Sequence, residues 1–464
     1  MPPPATTPDG PHVVVLSFPF GTHAAPLLAV VKRLAALSPA THFSFFGTEQ
    51  SNASAFKNQA AAVSESPNLR AHMVWNGIPE GYELTGRPQE AIEMFMKAAP
   101  GEFRKGIEAA VEESGRKVSW LVTDAFYWFA SEMGIPWIAF WTAGPNSLSA
   151  HLHTDPLREA LGSVPDAVVG REEETLKGIV AGMSKLRFRD LPEGVVKGNL
   201  QSIFSTMLHN MATHLPKAAA VFINSFHALD PTITDDLSSK LNNFLNIGPF
   251  HLLYPSPASK EQQQQPSDCI SWLNDQRHLP ASVAYLSFGS VVTPPPHELA
   301  AVAEALEASK VPFIWSLKEH SKAHLPDGFL DWSKGNGVVV PWAPQMEVLG
   351  HQAVGVFITH CGWNSVLESI AGGVPMICRP FFGDQIINSQ MVEKVWEIGV
   401  NLEGGAFTKS GLVSCLDRVL RQEEGKKVRV NTRHLREKAE EATQSKGSSS
   451  ADFFKLVELV SKST

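Results

Sequence analysis

Apolar runs of strand length alternate with stretches of helical spacing along most of the chain. Residues 12–18 form the first apolar run, and residues 24–37 follow with apolar side chains three and four positions apart. Pro26 stands near the start of that second stretch, where a helix tolerates proline. Strands that alternate with helices predict a parallel sheet covered on both faces, so the chain is expected to be an α/β protein.

The alternation continues in two units. In the first unit, strands are predicted over residues 12–18, 41–46, 70–75, 118–123, 135–141, 218–224 and 245–250. In the second unit, strands are predicted over residues 282–288, 312–317, 337–341, 354–358 and 374–378, with a helix over 296–308. Residues 144–215 are more irregular, and the helical tail ends in an amphipathic helix over 450–460 that a serine would cap. Two such units predict a cleft between them, which is a usual place for a ligand.

A polar stretch separates the two units. Residues 254–268 contain three prolines, four consecutive glutamines and almost no apolar side chain. Such a segment cannot bury a core, so we interpret it as a solvated linker rather than as a binding tract. The expected division is a first domain over 1–253, the linker over 254–268, a second domain over 269–448 and a last helix over 449–464.

Composition narrows the class of protein. A length of 464 residues with 43% hydrophobic and 19% charged residues fits a soluble globular protein of two or three domains. The net charge of −8 argues against nucleic acid or an anionic membrane surface as the main partner. The four cysteines lack metal-binding spacing, so we expect reduced thiols in a cytoplasmic protein. No secretion signal and no membrane-length apolar run is visible, and no feature marks a subunit interface, so a monomer without membrane insertion is expected.

An anion site is predicted in the second unit, where a strand over 354–358 meets a helix that starts at Trp363. The turn between them exposes backbone N–H groups at the positive end of the helix dipole. Asn364 and Ser365 fall in the first helical turn, where their short side chains could cap the helix or reach a phosphate. Glu368 returns to the same face one turn deeper and could accept hydroxyl groups. The local chemistry therefore suggests a diphosphate with a sugar on either side.

A second candidate centre lies in the first unit. His23 comes just after the first strand, and Asp124 ends a later strand of the same unit. A lone histidine of this kind is often structural, and the aspartate could be only a helix N-cap. If the two strands are neighbours, however, Asp124 can hold one ring nitrogen of His23 while the other nitrogen takes a proton. That arrangement would make His23 a general base.

Residues 342–385 carry a resemblance to a known family. They read WAPQMEVLGHQAVGVFITHCGWNSVLESIAGGVPMICRPFFGDQ and resemble, over their full length, the signature box of plant family 1 glycosyltransferases, which use UDP-sugars. The resemblance implies a GT-B fold, in which two Rossmann-like domains with parallel sheets face each other across a central cleft. It also implies that His23 and Asp124 form a catalytic dyad, and that the final helix crosses back to the first domain.

The box implies roles in binding the donor. Trp342 resembles the residue that stacks on uracil, although core packing is the alternative; Gln345 and the backbone near Ala343 would read the base. Glu368 would hold the ribose hydroxyls. His360 joins the helix residues as a stabiliser of the departing diphosphate. The full set of expected donor contacts is Thr22, Thr142, Ser290, Trp342, Ala343, Gln345, His360, Trp363, Asn364, Ser365, Glu368, Asp384 and Gln385.

Within that set, Trp363, Asp384 and Gln385 match sugar-contacting positions, and Thr142 resembles a sugar contact from the first domain. Thr22 and Ser290 resemble further phosphate contacts. Glutamine at the last position of the box goes with glucose in many members, whereas histidine there goes with galactose. The donor is therefore expected to be UDP-glucose, a co-substrate, and no other cofactor is expected.

Nearly the whole chain resembles the flavonoid and anthocyanidin 3-O-glucosyltransferases, for example in THAAPLL from Thr22 and MSKLRFRDL from Met183. The implied partners are thus a small flavonoid acceptor and a UDP-sugar. The positions that resemble acceptor-lining residues are Gly21, His23, Gln89, Phe126, His151, Phe204 and Phe382. Each phenylalanine could equally be plain core. Some relatives carry serine where Gly21 stands, so a side-chain hydroxyl is lost there.

The implied reaction is a direct displacement that inverts the anomeric carbon. His23 would deprotonate an acceptor hydroxyl, whose oxygen attacks the sugar as UDP leaves. The sequence contains no Asp-x-Asp, the carboxylate pair that usually holds the cation in metal-dependent sugar transferases. A metal-independent mechanism is therefore expected.

Three alternatives stay open at this stage. The chain could use UDP-galactose or another phenolic acceptor, or it could bind a UDP-sugar without turnover. His151 and Asp155 also fit H-x-x-x-D, a pattern of CoA-dependent acyltransferases, although two fixed positions arise readily by chance.

Overall fold

The structure is a computed structural model that describes residues 10–57, 66–87, 89–162, 168–253, 268–275, 279–289 and 291–463. Ser290, one of the expected phosphate contacts, lies outside these ranges. Residues 254–267 of the expected linker also lie outside them, and Asp268 already begins a helix. The limits of the domains therefore stay a prediction.

The first unit contains a parallel sheet of seven strands among the described residues, in the order β3-β2-β1-β4-β5-β6-β7. Its strands are β1 His12–Leu16, β2 His42–Gly47, β3 Leu69–Met73, β4 Trp120–Asp124, β5 Trp137–Trp141, β6 Ala220–Ile223 and β7 Phe244–Asn246. Successive strands are added to one side of β1 up to β3 and to its other side from β4 onward, so the strand order reverses between β1 and β4. Open α/β sheets bind ligands at the carboxyl ends of the strands that flank such a point.

The second unit repeats the pattern with six parallel strands in the order β10-β9-β8-β11-β12-β13. These strands are β8 Val283–Ser287, β9 Phe313–Ser316, β10 Gly337–Val340, β11 Val354–Thr359, β12 Met376–Cys378 and β13 Gly399–Asn401. Here the point of reversal lies between β8 and β11. The prediction of two parallel sheets is confirmed, and both predicted centres follow strands that flank a point of reversal.

Helices cover the faces of both sheets. Those of the first unit are α1 Ala24–Leu37, α2 Glu49–Lys57, α3 Glu90–Ser114, α4 Pro145–Leu152, α5 Thr154–Leu161, α6 Ile203–His214, α7 Pro231–Lys240 and α8 Phe250–Leu253. Those that follow are α9 Asp268–Asp275, α10 Pro296–Ser309, α11 Phe329–Ser333, α12 Gln345–Leu349, α13 Trp363–Gly372, α14 Asp384–Gln390, α15 Lys409–Arg421, α16 Glu423–Thr443 and α17 Ser448–Val460. Within the described ranges, no helix is both long and apolar enough to cross a membrane.

The strand predicted over 245–250 is shorter than expected. Strand β7 ends at Asn246, and Phe250 already begins α8. Pro249 lacks the N–H group that a strand would need to continue the ladder, and it precedes the first turn of the helix. The predicted strand is therefore confirmed only over its first part, and its last residue belongs to a helix.

The final helix α17 packs on the outer face of the first sheet. Phe453, Leu456 and Val460 join the apolar cluster formed there by α1 and the strands. The Trp120 indole N–H donates to the Lys462 carbonyl at 2.9 Å. The expected serine cap is wrong, because Gly447 occupies the N-cap position and makes no side-chain bond. Ser450 lies inside the helix and donates its hydroxyl to the Thr443 carbonyl instead.

Candidate active site

The two candidate residues of the first unit meet at the carboxyl edge of its sheet. Strands β1 and β4 pair directly, with Leu16 opposite Thr123, so His23 and Asp124 follow neighbouring strands. The His23 Nδ1 atom lies 2.7 Å from Asp124 Oδ2. The aspartate is almost fully buried, while the histidine is partly open to solvent. Because Nδ1 is bound to a carboxylate, Nε2 is the nitrogen that can accept a proton.

Asp124 does not cap a helix. Its second oxygen, Oδ1, accepts the Phe126 backbone N–H at 3.0 Å, which fixes the carboxylate in a local turn. The next helical turn, Trp128–Glu132, has Tyr127 at its N-cap position. The Thr142 hydroxyl, expected to contact the sugar, lies 3.2 Å from His23 Nδ1. Thr142 therefore stands beside the dyad as well as at the cleft.

Aromatic rings form a wall next to His23. The rings of Phe18 and Phe126 lie 5.1 and 4.8 Å from the imidazole, measured between centroids. Phe126 also contacts Trp141 at 6.0 Å and Phe204 at 6.5 Å. The His151 ring lies 5.9 Å from Trp141. The expected acceptor residues Phe126, His151 and Phe204 are thus brought together around the dyad.

Burial keeps one member of this wall neutral. It lowers the pKa of His151 to about 4, so the imidazole is uncharged at neutral pH and suits an apolar, flat ligand.

The other expected acceptor residues lie outside this wall. Gln89, the residue before α3, is partly buried, and Phe382 is exposed; within the described ranges Phe382 makes no ring contact with the wall. Gly21 and Thr22 are exposed in the turn before His23, and Gly21 has a φ of 63°. That left-handed conformation favours glycine over serine.

The strand, turn and helix start that were predicted to form an anion site in the second unit are present. The first backbone bond of α13 runs from the Val366 N–H to the Gly362 carbonyl. The N–H groups of residues 363–365 therefore point out of the helix end, toward the cleft edge of the sheet. Cys361 holds the turn in a left-handed conformation with a φ of 63°. Its N–H donates to the Thr359 hydroxyl at 3.2 Å, which stabilises the turn.

His360 projects from this turn into the site. Burial lowers its pKa to about 4, so the ring is neutral and can donate one hydrogen bond. Its Nδ1 atom is buried and has no hydrogen-bond partner among the described residues. Gly289, after β8, has a φ of 75°, and a Cβ atom there would lie only 2.9 Å from the His360 ring. Glycine at this position thus leaves room for His360.

The residues expected to hold the nucleoside lie at the other side of the box. Trp342 is 67% exposed, so its ring is available for stacking and does not pack in the core. Ala343, the residue after it, is buried. The Gln345 side-chain amide donates to the Ser365 hydroxyl at 3.1 Å and to the Glu368 carboxylate. These bonds tie the expected base and ribose contacts to the first turns of α13.

Burial raises the pKa of Glu368 to about 7, and the hydrogen bond from Gln345 lowers it in turn. The Gln345 carbonyl oxygen accepts a hydrogen bond from the Tyr285 hydroxyl at 3.1 Å. A carboxyl group with a raised pKa can still accept hydrogen bonds from hydroxyl groups, and it repels a nearby diphosphate less strongly.

The expected sugar contacts gather at the start of α14. Gln385 is buried, and its carbonyl oxygen accepts the Phe381 and Phe382 N–H groups at 2.9 and 3.3 Å. Its amide nitrogen is left to donate. Burial raises the pKa of Asp384 to about 6, while a bond from Asn388 and the charge of nearby His23 lower it.

The Trp363 side chain joins the two units. Its indole N–H donates to the Asn224 carbonyl at 2.7 Å, and its ring fills the space beside Gly144. Only the backbone N–H of Trp363 is thus directed to the donor side. Asn364 lies in the same turn, and its side-chain oxygen is 3.4 Å from the Asn224 amide.

The structure adds residues that the sequence interpretation missed. Trp141 belongs to the aromatic wall, and Asn224 and Asn146 reach across the cleft from the first unit. Asn388 bonds to Asp384, four residues earlier on the same helix face. That spacing was a usable signal for Asn388, whereas no local pattern marks the other three. Within the described ranges, no group of three or more His, Cys, Asp or Glu residues could hold a metal ion.

Comparisons with known proteins agree with this geometry. A family described as UDP-glucoronosyl and UDP-glucosyl transferase matches residues 131–436. The chain is 58% identical to the anthocyanidin 3-O-glucosyltransferase UFGT of Vitis vinifera, over 98% of each chain. It is 56% identical to a flavonol 3-O-glucosyltransferase of Arabidopsis thaliana, over 97% of each chain. A solved UDP-glucose:anthocyanidin 3-O-glucosyltransferase in complex with UDP shares 41% identity and a TM-score of 0.88, covering 98% of this chain and 99% of its own.

Proposed function

The chain belongs to the UDP-glycosyltransferase family and has its GT-B fold, and from this we propose that it transfers glucose from UDP-glucose to the 3-hydroxyl of a flavonoid. The acceptor is a flavonol or an anthocyanidin, the two acceptor classes of the relatives. The single observation that carries the chemistry is the 2.7 Å contact between His23 Nδ1 and Asp124 Oδ2, beside an aromatic wall.

His23 acts as the general base. Its Nε2 atom takes the proton of the acceptor hydroxyl, and Asp124 stabilises the imidazolium that forms. The hydroxyl oxygen attacks the anomeric carbon of the sugar while the bond from that carbon to the diphosphate oxygen breaks. The attack comes from the face opposite the leaving UDP, so the configuration inverts.

The leaving diphosphate is stabilised by donors that are already in place. The N–H groups at the start of α13 and the neutral His360 ring face this position. The His360 Nδ1 atom, which has no hydrogen-bond partner in the described part of the chain, supports a ligand there. The first-turn N–H groups carry the positive end of the helix dipole. We assign this charge stabilisation to the chain's own groups and propose a metal-independent reaction.

Gln385 favours glucose as the transferred sugar. Its carbonyl is occupied by the 381–382 backbone, so its amide N–H group is the part that can donate to a sugar hydroxyl. UDP-galactose is the alternative donor, and other phenols are alternative acceptors. A panel of donors and acceptors separates these choices.

The acyltransferase interpretation finds no support in the geometry. His151 is buried in the aromatic wall, while Asp155 is exposed on α5 and pairs with the His209 ring at 2.8 Å. The two residues of the pattern thus face different surroundings. A sugar-binding scaffold without turnover would lack the dyad, and both members are present and in contact.

The proposal is tested by incubating the purified protein with UDP-glucose and small flavonoids. We expect a β-linked 3-O-glucoside, identified by mass spectrometry and NMR, and no product from an acyl-CoA. Turnover with an acyl-CoA and none with any UDP-sugar would contradict the proposal.

The base is tested by His23→Ala. Because general-base catalysis contributes roughly 10²- to 10⁴-fold, we expect the rate of transfer to fall by about that factor. UDP affinity, measured by calorimetry, should stay nearly unchanged, since UDP contacts the other side of the cleft. Substantial transfer by this variant would remove His23 from its role. Cytoplasmic localisation and a monomeric state remain predictions from the sequence.

A further inference from the structure

Asn388 lies at a junction of three parts of the site. It is fully buried on α14. Its amide nitrogen donates to the Cys361 carbonyl at 3.0 Å and to Asp384 Oδ2 at 2.8 Å. Its oxygen accepts a bond from the Asn146 amide at 2.9 Å, and Asn146 belongs to the first unit. One side chain thus joins the diphosphate turn, an expected sugar contact and the opposite wall of the cleft.

The chemistry of the three partners fixes the orientation of this amide. A carbonyl and a carboxylate can only accept, so the Asn388 nitrogen must face Cys361 and Asp384. The Asn388 oxygen is then directed to Asn146. An amide has two N–H groups and one oxygen, and all three are used here. The orientation is lost if asparagine is replaced by a residue that lacks either function.

Asn146 is an unusual partner if its purpose is stability alone. It is fully buried, and its own oxygen has no hydrogen-bond partner among the described residues. A buried polar atom without a partner destabilises the fold, so an apolar residue would serve packing better. Asn146 is the second residue of α4 and follows Thr142, which contacts His23, by four residues. It therefore belongs to the same wall of the cleft as the dyad.

We propose that Asn388 is a positioning residue that orients the Asp384 carboxylate toward the donor sugar. Through the hydrogen bond from Asn146, this orientation depends on the closed cleft. The inference rests on the proposed function, because it assumes a sugar beside Asp384. When the two units separate, Asn388 loses the bond by which Asn146 holds its amide from the opposite wall, and the Asp384 carboxylate is then supported from the second unit alone. Sugar recognition and closure of the cleft are thereby linked.

The test compares Asn388→Ala and Asn146→Ala with the control Lys394→Gln. Lys394 also bonds across the cleft, to Asp190 at 2.8 Å, but touches no expected donor contact. We expect kcat/KM for UDP-glucose to fall about 10- to 100-fold in Asn388→Ala and about tenfold in Asn146→Ala. The control should stay within about threefold of the wild type. Equal losses in all three variants would mean that Asn388 only holds the units together.

Affinity measurements distinguish a role of Asn388 in sugar recognition from a role in supporting the diphosphate turn. By calorimetry, Asn388→Ala should lose affinity for UDP-glucose and keep its Kd for UDP alone within about threefold. An equal loss for both ligands would overturn the inference, because the effect would then come through Cys361. Wild-type protein that binds UDP and UDP-glucose equally well would overturn it too. These binding results do not need turnover, whereas a failure of the proposed function shows as absence of glucoside from the wild type.

A double-mutant cycle shows whether Asn388 acts through Asp384. In an Asp384→Ala background, Asn388→Ala should lower kcat/KM by less than about threefold further. Fully additive losses would contradict the proposed route. If Asn388→Ala does not give a folded protein by thermal melting, the same cycle with Asn146→Ala decides the question, because that variant removes a single hydrogen bond.

Discussion

At the level of single residues, burial sets the charge of the donor side. It holds His360 neutral, with a pKa of about 4, and it raises the pKa of Glu368 to about 7 and that of Asp384 to about 6. Since a diphosphate brings its own negative charge, raised carboxyl pKa values reduce the repulsion at neutral pH, more at Glu368 than at Asp384. The hydroxyl groups of a bound ligand would then favour the ionised carboxylates by donating to them.

In the His23–Asp124 dyad, hydrogen bonds fix the orientation of the carboxylate and of the ring. Asp124 uses both oxygens, one for His23 and one for the Phe126 N–H, so the carboxylate cannot rotate away. Thr142 offers Nδ1 a second, longer contact. The tautomer of His23 is thus determined mainly, but not entirely, by Asp124.

Asp124→Asn tests this dependence. The amide keeps the size of the side chain but can turn an N–H toward Nδ1, which moves the ring proton to Nε2 and blocks the base. We expect kcat/KM to fall roughly 10²-fold, less than in His23→Ala, because Thr142 can still hold part of the correct tautomer. Initial-rate kinetics measure the effect. Asp155→Asn, an exposed change, is the control, and wild-type kinetics in Asp124→Asn would reduce Asp124 to a structural role.

At the level of elements, the strands and helices were predicted well because apolar periodicity and turn residues, which determine them, act over short stretches of sequence. The strand, turn and helix around His360 have the predicted order, and the helix ends at Gly372, after which Gly373 adopts the left-handed cap conformation. The dyad and the start of α13 could be predicted because they lie at the carboxyl ends of strands, whereas the other donor residues were expected from the resemblance of residues 342–385 to a known family. The dyad requires that β1 and β4 are neighbours, which the sequence analysis could only assume. The structure shows this pairing.

Contacts between distant parts of the chain had no such signal. Asn146 and Asn388 are 242 positions apart, and neither belongs to a periodic pattern that would connect them. The cap of the final helix was missed for another reason. A run of three serines offered several equivalent starts, and the structure begins α17 after Gly447 instead. Burial of His151 depends likewise on rings contributed by other elements.

The docking of α17 provides a matched pair of neighbouring phenylalanines. Phe453 is 3% exposed and packs against the first sheet, whereas Phe454 is 53% exposed. Phe453→Ala should lower the free energy of unfolding by about 3–5 kcal/mol, because it leaves a cavity under the helix. Phe454→Ala should change it by less than about 0.5 kcal/mol. Thermal melts of both variants measure the difference, and equal melting temperatures would show that α17 does not depend on this contact.

At the level of the whole molecule, the two sheets share one apolar cluster. It contains Val14 and Leu121 from the first sheet and Tyr285 and Phe357 from the second, with Trp363 among them. Separate clusters cover the outer face of each sheet. The hydrogen bond from the Trp396 indole to Asp230 and the ion pair between Lys394 and Asp190 add to the contact between the units. A continuous apolar contact of this kind couples the stability of the two units.

This coupling predicts how UDP changes thermal unfolding. The proposed UDP contacts lie mainly in the second unit. We nevertheless expect one calorimetric transition that UDP shifts as a whole, because neither unit can unfold without exposing the shared cluster. At a UDP concentration of 100 Kd, binding adds about 2.7 kcal/mol, which for 464 residues corresponds to a rise of about 3 °C in Tm. Trp342→Ala, which removes the exposed ring expected to stack on uracil, should reduce the shift at the same UDP concentration. Two separate transitions, of which UDP moves only one, would show that the units unfold independently and that the shared cluster does not couple them.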